Sequence, residues 1–407
     1  MASWPTLSLR DAGVTLIDCV HKTPPPAPDG YPYVAIPQMR DGKIDFSDAR
    51  RISEAHFREW TKKARPQTHD VVLSRRTNPG VTATFGDRCD FALGQNLVLL
   101  RADGRRVRPA FLRWLVRSPA WWQQIDKFLN VGAVFDSLRC ADVPRFELPI
   151  PTLAEQAKIG TVLDALDDKI ELNRRMIETL EAMARAIFQD WFVTFGPTRA
   201  KMEGRPPYLA PDLWSLFPDR LDAEGKPEGW ATCRVEELLE LVYGKSLPAT
   251  VRTEGPFPVY GSGGVTGFHA TAITQPPCII VGRKGTVGSL FWDDRPCFPI
   301  DTVFYVLPKA PMTFCFYLLK SLGLETMNTD AAVPGLNRSN VYRLTGTWGT
   351  PDLRLAFDQL VTVKRQKIFA NEEENRTLAA TRDLLLPRLM TGELRVKDAE
   401  LGVGDAA

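Results

Sequence analysis

The longest unbroken pattern of apolar positions lies mid-chain, in PTLAEQAKIGTVLDALDDKIELNRRMIETLEAMARAIFQDWFVTF (151–195). Alternate steps of four and three residues from Ile159 meet Leu163, Leu166, Ile170, Asn173, Ile177, Leu180, Ala184, Ile187 and Trp191, a heptad seam with one polar member. The spacing predicts a single long helix, about 50 Å over that seam at roughly 1.5 Å per residue. Pro151–Thr152 starts it and Gly196–Pro197 stops it. A stripe of that length needs a partner along its seam. Near the C-terminus Phe357, Val361, Lys364, Ile368, Asn371, Asn375, Leu378, Arg382, Leu385 and Leu389 repeat the spacing more weakly, and Pro387 is expected to kink or end that helix. Asn371 follows Asn173 by 198 residues, so each seam carries an amide at the same level. Either the pair fixes the helix register from inside, or each amide faces solvent at a poorly packed layer.

Outside these helices the pattern changes. HDVVLSRR (69–76) and ALGQNLVLLR (92–101) predict buried strands, KTPPPAPDGYP (22–32) a proline-stiffened loop, and FLRWLVRSPAWWQQIDKFL (111–129) a helical hairpin or broken helix. This is an α+β or mixed α/β pattern. From 198 to 228 the chain is rich in Pro, Gly and charge and reads as a linker. The pattern then begins again. PYVAIPQ at 32 faces PVYGSGG at 258, and VVLSRRTNPG (71–80) faces IIVGRKGTVG (279–288), which sets Arg75 against Arg283 and Gly80 against Gly288. GQNLVLL faces DTVFYVL, FLRWLV faces FCFYLL, and IETLEAMARAIF faces NRTLAATRDLLL. The offset falls from about 226 to 208 and then 198, so the second globular copy is the shorter. Antiparallel pairing of the two helices would use both seams and give the chain pseudo-twofold symmetry, as if a dimer had been fused.

At 407 residues, 44% hydrophobic and 25% charged, the chain is ordinary globular material for two or three domains. The N-terminus carries no basic region followed by an apolar run, and no stretch approaches the length of a membrane span, so a cytoplasmic protein is expected. Seven cysteines without a CxxC pair and four histidines without HExxH or HxH spacing argue against zinc or a histidine-based catalytic centre. Net charge is only +2, but residues 1–150 carry 22 Lys/Arg against 16 Asp/Glu, which permits polyanion binding by the first domain. GSGGVTG (261–267) lacks the GxGxxG spacing, and GRKGT is not GxxxxGK[ST]. Neither an Asn/Asp-Pro-Pro-aromatic tetrapeptide nor a nuclease-like carboxylate cluster followed by lysine occurs. The chain is therefore expected to be noncatalytic by itself.

PTLAEQAKI, LNRRMIETLEAMARAIFQDWFVTFGPTRAK, the PVYGSGGVTG and IIVGRKGTVG pair, AAVPGLNRSNV and LLLPRLMTGEL together resemble the specificity subunit of type I restriction-modification systems. The resemblance covers nearly the whole chain and rests on order, duplication and spacing. It implies two target-recognition domains (1–150 and 229–350), each reading half of a bipartite double-stranded DNA site. Long helices at 151–197 and 351–395 would hold them apart and form an antiparallel coiled coil, with a linker at 198–228 and a tail at 396–407. It also implies two copies of a methyltransferase subunit docked on the helices, and a restriction/translocase subunit. S-adenosylmethionine, ATP and Mg would sit on those partners, with no cofactor on this chain. The alternative is a coiled-coil adaptor that binds only proteins.

For base contacts the candidates are loop residues. Arg283 and Lys284 sit in a glycine-bounded loop, where a guanidinium can fork onto guanine O6 and N7 and an ammonium can meet phosphate; the competing role for the arginine is to satisfy loop carbonyls. Arg75 and Arg76 carry the same two readings in the first copy, where RRTNP replaces RKGTV and no YGSGG occurs. Tyr260 and Ser262 belong to YGSGG, whose glycines allow close approach to DNA or to a neighbouring strand. Asn337 and Arg338 are loop donors, or the cap of the segment after them.

Overall fold

The computed structural model describes residues 4–132, 136–327 and 335–396. The expected tail beyond Val396 and the first four residues of AAVPGLNRSNV lie outside them. The chain divides into two units, 1–171 with 375–407, and 172–374. Each long helix contributes a segment to each unit.

In the first unit the strands are β1 (Val14–Asp18), β2 (Tyr31–Val34), β3 (Val71–Ser74), β4 (Thr82–Ala83), β5 (Ala92–Leu93) and β6 (Leu97–Ala102). An antiparallel sheet runs in the order β1-β6-β3-β4, and β2 lies between Arg50–Ile52, antiparallel, and β5, parallel. The central strands are apolar at nearly every position because both faces of the sheet are covered. Val71, Leu73, Val98 and Leu100 enter one core with Trp114, Trp121 and Leu163, while Val72, Leu97 and Leu99 enter another with Phe91 and Leu93. The stretch expected as a helical hairpin or broken helix is two helices, Leu112–Leu115 and Pro119–Phe128. Ser118 separates them, and its hydroxyl accepts from the Trp121 amide as an N-cap.

The second unit repeats this topology with β7 (Leu239–Tyr243), β8 (Phe257–Gly261), β9 (Cys278–Gly282), β10 (Leu290–Asp293), β11 (Phe298–Pro299) and β12 (Val303–Pro308). Its sheet order is β7-β12-β9-β10, and β8 lies between Gly264–His269, antiparallel, and β11, parallel. Alternation along β9 again serves two cores, Ile279 and Val281 on one face, Cys278 and Ile280 on the other.

The long helices are Leu153–Phe192 and Pro351–Met390, 40 residues each. Within the first unit Ile159 and Leu163 share a core with Leu386 and Leu389, and Asp167 pairs with Arg382 at 2.7 Å. Within the second, Phe188 lies 5.6 Å from Phe357, Glu181 pairs with Arg365, and Asn173 donates to Glu374 at 2.8 Å. In each unit, residue numbers rise on one helix as they fall on the other, so the pairing is antiparallel. Asn173 and Asn371 are 3% and 2% exposed, which places both amides inside rather than facing solvent. Pro387 does not end the second helix, which continues to Met390. So close to the C-terminal end a proline removes one backbone donor, and the carbonyl of Pro387 still accepts from the Thr391 amide at 3.0 Å.

The expected linker is folded. It holds helices Gly196–Met202 and Pro211–Ser215, and Phe217 packs edge-on against Trp191 at 5.3 Å in the core of the second unit. Its averaged composition is polar, but a few aromatic side chains suffice to anchor it. All seven cysteines are free. Among the described residues no helix is long and apolar enough to cross a membrane.

Candidate nucleic-acid interface

Between β9 and β10 the chain makes a tight loop closed by main-chain bonds, Gly282 N to Ser289 O at 2.7 Å and Gly288 N to Gly282 O at 2.9 Å. Gly285 and Gly288 have φ of +83° and +72°, the left-handed region that disfavours a Cβ. Gly288 also lies against main chain, where a Cβ would meet Leu324 C and Glu325 N at 2.3 Å. The loop is fixed outward as well. The Arg283 amide donates to Thr302 O at 2.9 Å, and the Arg283 carbonyl accepts from Leu336 N at 2.8 Å.

Arg283 itself donates from Nε and Nη2 to the Asp301 carbonyl, at 3.2 and 2.6 Å. Two of its five N–H groups are thus spent on loop carbonyl and three remain, including those of Nη1. Lys284 is exposed. Ser262 braces the loop, its hydroxyl accepting from Thr286 N at 3.4 Å and its carbonyl from the Ser289 hydroxyl at 2.5 Å. Tyr260 stands differently from the surface contact expected of it. At 6% exposure it is core, and its hydroxyl donates to Asp293 at 2.8 Å. Burial and that carboxylate hold the hydroxyl well above the ordinary phenol range. Asn337 is the N-cap of Arg338–Tyr342, with Oδ1 accepting from Ser339 N at 2.9 Å, so its side chain serves the helix. Arg338 donates to the Leu241 carbonyl at 3.2 Å. The guanidinium groups of Arg283 and Arg338 both lie over Tyr243, which no motif marked.

The first unit builds the same loop from different residues. Ser74 N bonds Val81 O at 2.9 Å, Gly80 N bonds Ser74 O at 3.0 Å, Arg75 N bonds Asn96 O at 3.0 Å, and Arg75 O accepts from Leu138 N at 2.9 Å. Each bond has its counterpart above. Thr77, with φ of +65°, occupies the place of Gly285. Arg75 Nε is buried with no hydrogen-bond partner among the described residues. Beside the loop lies a cleft of about 570 Å³ lined by His21, Arg75, Arg76, Thr77, Gln95 and Asn96. Of these, His21, Gln95 and Asn96 belong to no recognisable motif and come together only through the pairing of β1 with β6. His21 is set between Asp18 Oδ2 at 2.9 Å and the Gln95 carbonyl at 3.0 Å.

Asp18, Cys19 and His21 are the one group of potential metal ligands among the described residues. Their polar atoms are already engaged, Cys19 Sγ donating to the Gly94 carbonyl at 3.3 Å. Burial, with Asp18 adding to it, pushes the Cys19 thiol up to about 11, which disfavours the thiolate a metal would need.

The model of the type I restriction modification DNA specificity domain matches residues 25–182. A type I restriction enzyme HindI specificity subunit from Haemophilus influenzae is 23% identical, over 76% of this chain and 82% of its own. The MjaIX specificity subunit of Methanocaldococcus jannaschii is 25% identical, over 86% and 83%. The crystal structure of the S subunit of a type I restriction-modification system from M. genitalium shares the fold, with a TM-score of 0.55 at 20% identity over 95% of this chain and 96% of that one.

Proposed function

We infer that this chain belongs to the type I restriction-modification DNA specificity family and is the noncatalytic subunit that selects the DNA sequence on which such a complex acts. One observation carries the mechanism. A single strand order, built twice, presents the same arginine-bearing loop with different neighbours in each copy. Two half-sites of unlike sequence require that combination, because each base pair displays its own donor and acceptor pattern in the major groove.

On this reading the target is a bipartite double-stranded site, and each unit reads one half. Arg283 offers its remaining N–H groups to a base edge while the Asp301 carbonyl holds the guanidinium still. Lys284 and Arg76, both exposed, meet phosphate. Ser262 and Asn337 hold main chain in place, and Tyr260 supports from within. Two methyltransferase subunits dock on the long helices and a restriction/translocase subunit joins them. S-adenosylmethionine, ATP and Mg belong to those partners, which work with this chain in the cytoplasm.

The test is selection from a random-sequence duplex library by the chain bound to its methyltransferase partner. Recovery of one two-part motif with a fixed gap is expected; recovery without sequence preference would leave only the protein adaptor.

A further inference from the structure

Tyr243 ends β7, is 49% exposed and rests on Phe304 of β12, with 4.9 Å between ring centroids. The guanidinium carbons of Arg283 and Arg338 each lie 5.2 Å from its ring centre. Main-chain carbonyls hold both cations there, Asp301 for Arg283 and Leu241 for Arg338. Neither forms an ion pair among the described residues. Each cation lies within cation–π range of the ring. Such a pair, held beside an exposed aromatic ring with no carboxylate between, is preorganised for an anionic or electron-rich partner.

The first unit shows what varies at this place. Asp18 ends β1 and faces Val98 on β6 as Tyr243 faces Phe304 on β12. Arg75 stands for Arg283. Cys140 follows Leu138 by two residues as Arg338 follows Leu336, and those two leucine amides bond the two loop arginines alike. One main-chain locus therefore carries Tyr, Arg and Arg in one unit and Asp, Arg and Cys in the other, with His21 bonded to Asp18 in the latter. Main chain kept while the side chains it carries change is the pattern expected of the residues that distinguish two half-sites.

We propose that Tyr243 is a specificity-determining residue of the second unit, its ring packing on the methyl-bearing edge of a thymine while Arg283 and Arg338 engage the adjoining bases, and that Asp18 holds the corresponding post in the first unit. The proposal rests on the specificity-subunit reading above. Apolar contact is how a side chain distinguishes the thymine methyl in the major groove, and the flanking arginines keep the ring from turning away.

The experiment uses the full chain with its methyltransferase partner, and reads the motif from genomic methylation together with binding to duplexes varied one base pair at a time. Tyr243→Ala is expected to lose preference at one or two adjacent positions of a single half-site and to weaken cognate binding roughly tenfold or more. Tyr243→Phe keeps the motif. Asp18→Ala alters the other half-site alone. Arg338→Ala, which replaces no strand residue, alters the half-site that Tyr243→Ala alters, and decides the matter if the latter protein does not fold. An unchanged motif in Tyr243→Ala or Arg338→Ala, even with weaker binding, would make the cluster structural packing and overturn the proposal. A wild-type complex without any motif would instead overturn the specificity reading itself.

Discussion

Gly288 and Arg283 divide the work of the loop between shape and chemistry. A Cβ at position 288 meets main chain at 2.3 Å and forces an L residue into φ of +72°. Gly288→Ala is therefore expected to destabilise the second unit by about 2 kcal/mol or more, seen as a lower urea midpoint; an unchanged midpoint would mean the loop relaxes freely. Arg283→Ala removes N–H groups that the fold has left unspent. It should relax one position of one half-site without touching the other, as read by library selection, and an unaltered preference would confine the arginine to holding Asp301. Thr77 shows how chemistry can hide an equivalence: a β-branched residue sits in the left-handed conformation where the second copy has Gly285, so RRTNP and RKGTV share a backbone and little else.

At the scale of elements, the helix pair is held by apolar layers broken by buried charge. Arg365 is 5% exposed and is paired with Glu181, which also receives Lys320 and the Tyr317 hydroxyl, each at 3.3 Å. Glu181→Leu strands that guanidinium and is expected to cost about 3 kcal/mol, whereas adding Arg365→Met should recover most of the loss. A double variant as unstable as the single one in urea unfolding would show that the pair is stabilising in itself. The heptad spacing predicted both helices because their register depends on residues three and four apart. It missed the packed segment after the first helix, where Phe217 and its neighbours act through contacts with Trp191 and not through any local period.

At the scale of the whole molecule, duplication is the organising fact: one sheet order is written twice, and each copy is followed by a 40-residue helix. Four residues inserted into each long helix add roughly 6 Å, near two base-pair steps. The expected result is a methylated motif with both half-sites intact and a gap about two base pairs longer; an unchanged gap would mean that the helices do not set the spacing between half-sites. The repeat, the helices and the all-apolar strands were legible in the chain because each is a local or periodic property, written in residues that neighbour one another or recur at fixed spacing. The same holds for the loop arginines, since glycine punctuation marks a turn wherever it lies. Only the tertiary structure decided that Tyr260 is core and that Tyr243 lies beneath two arginines drawn from distant parts of the chain. Those outcomes depend on strand pairing, which brings together positions whose separation in sequence no local pattern encodes.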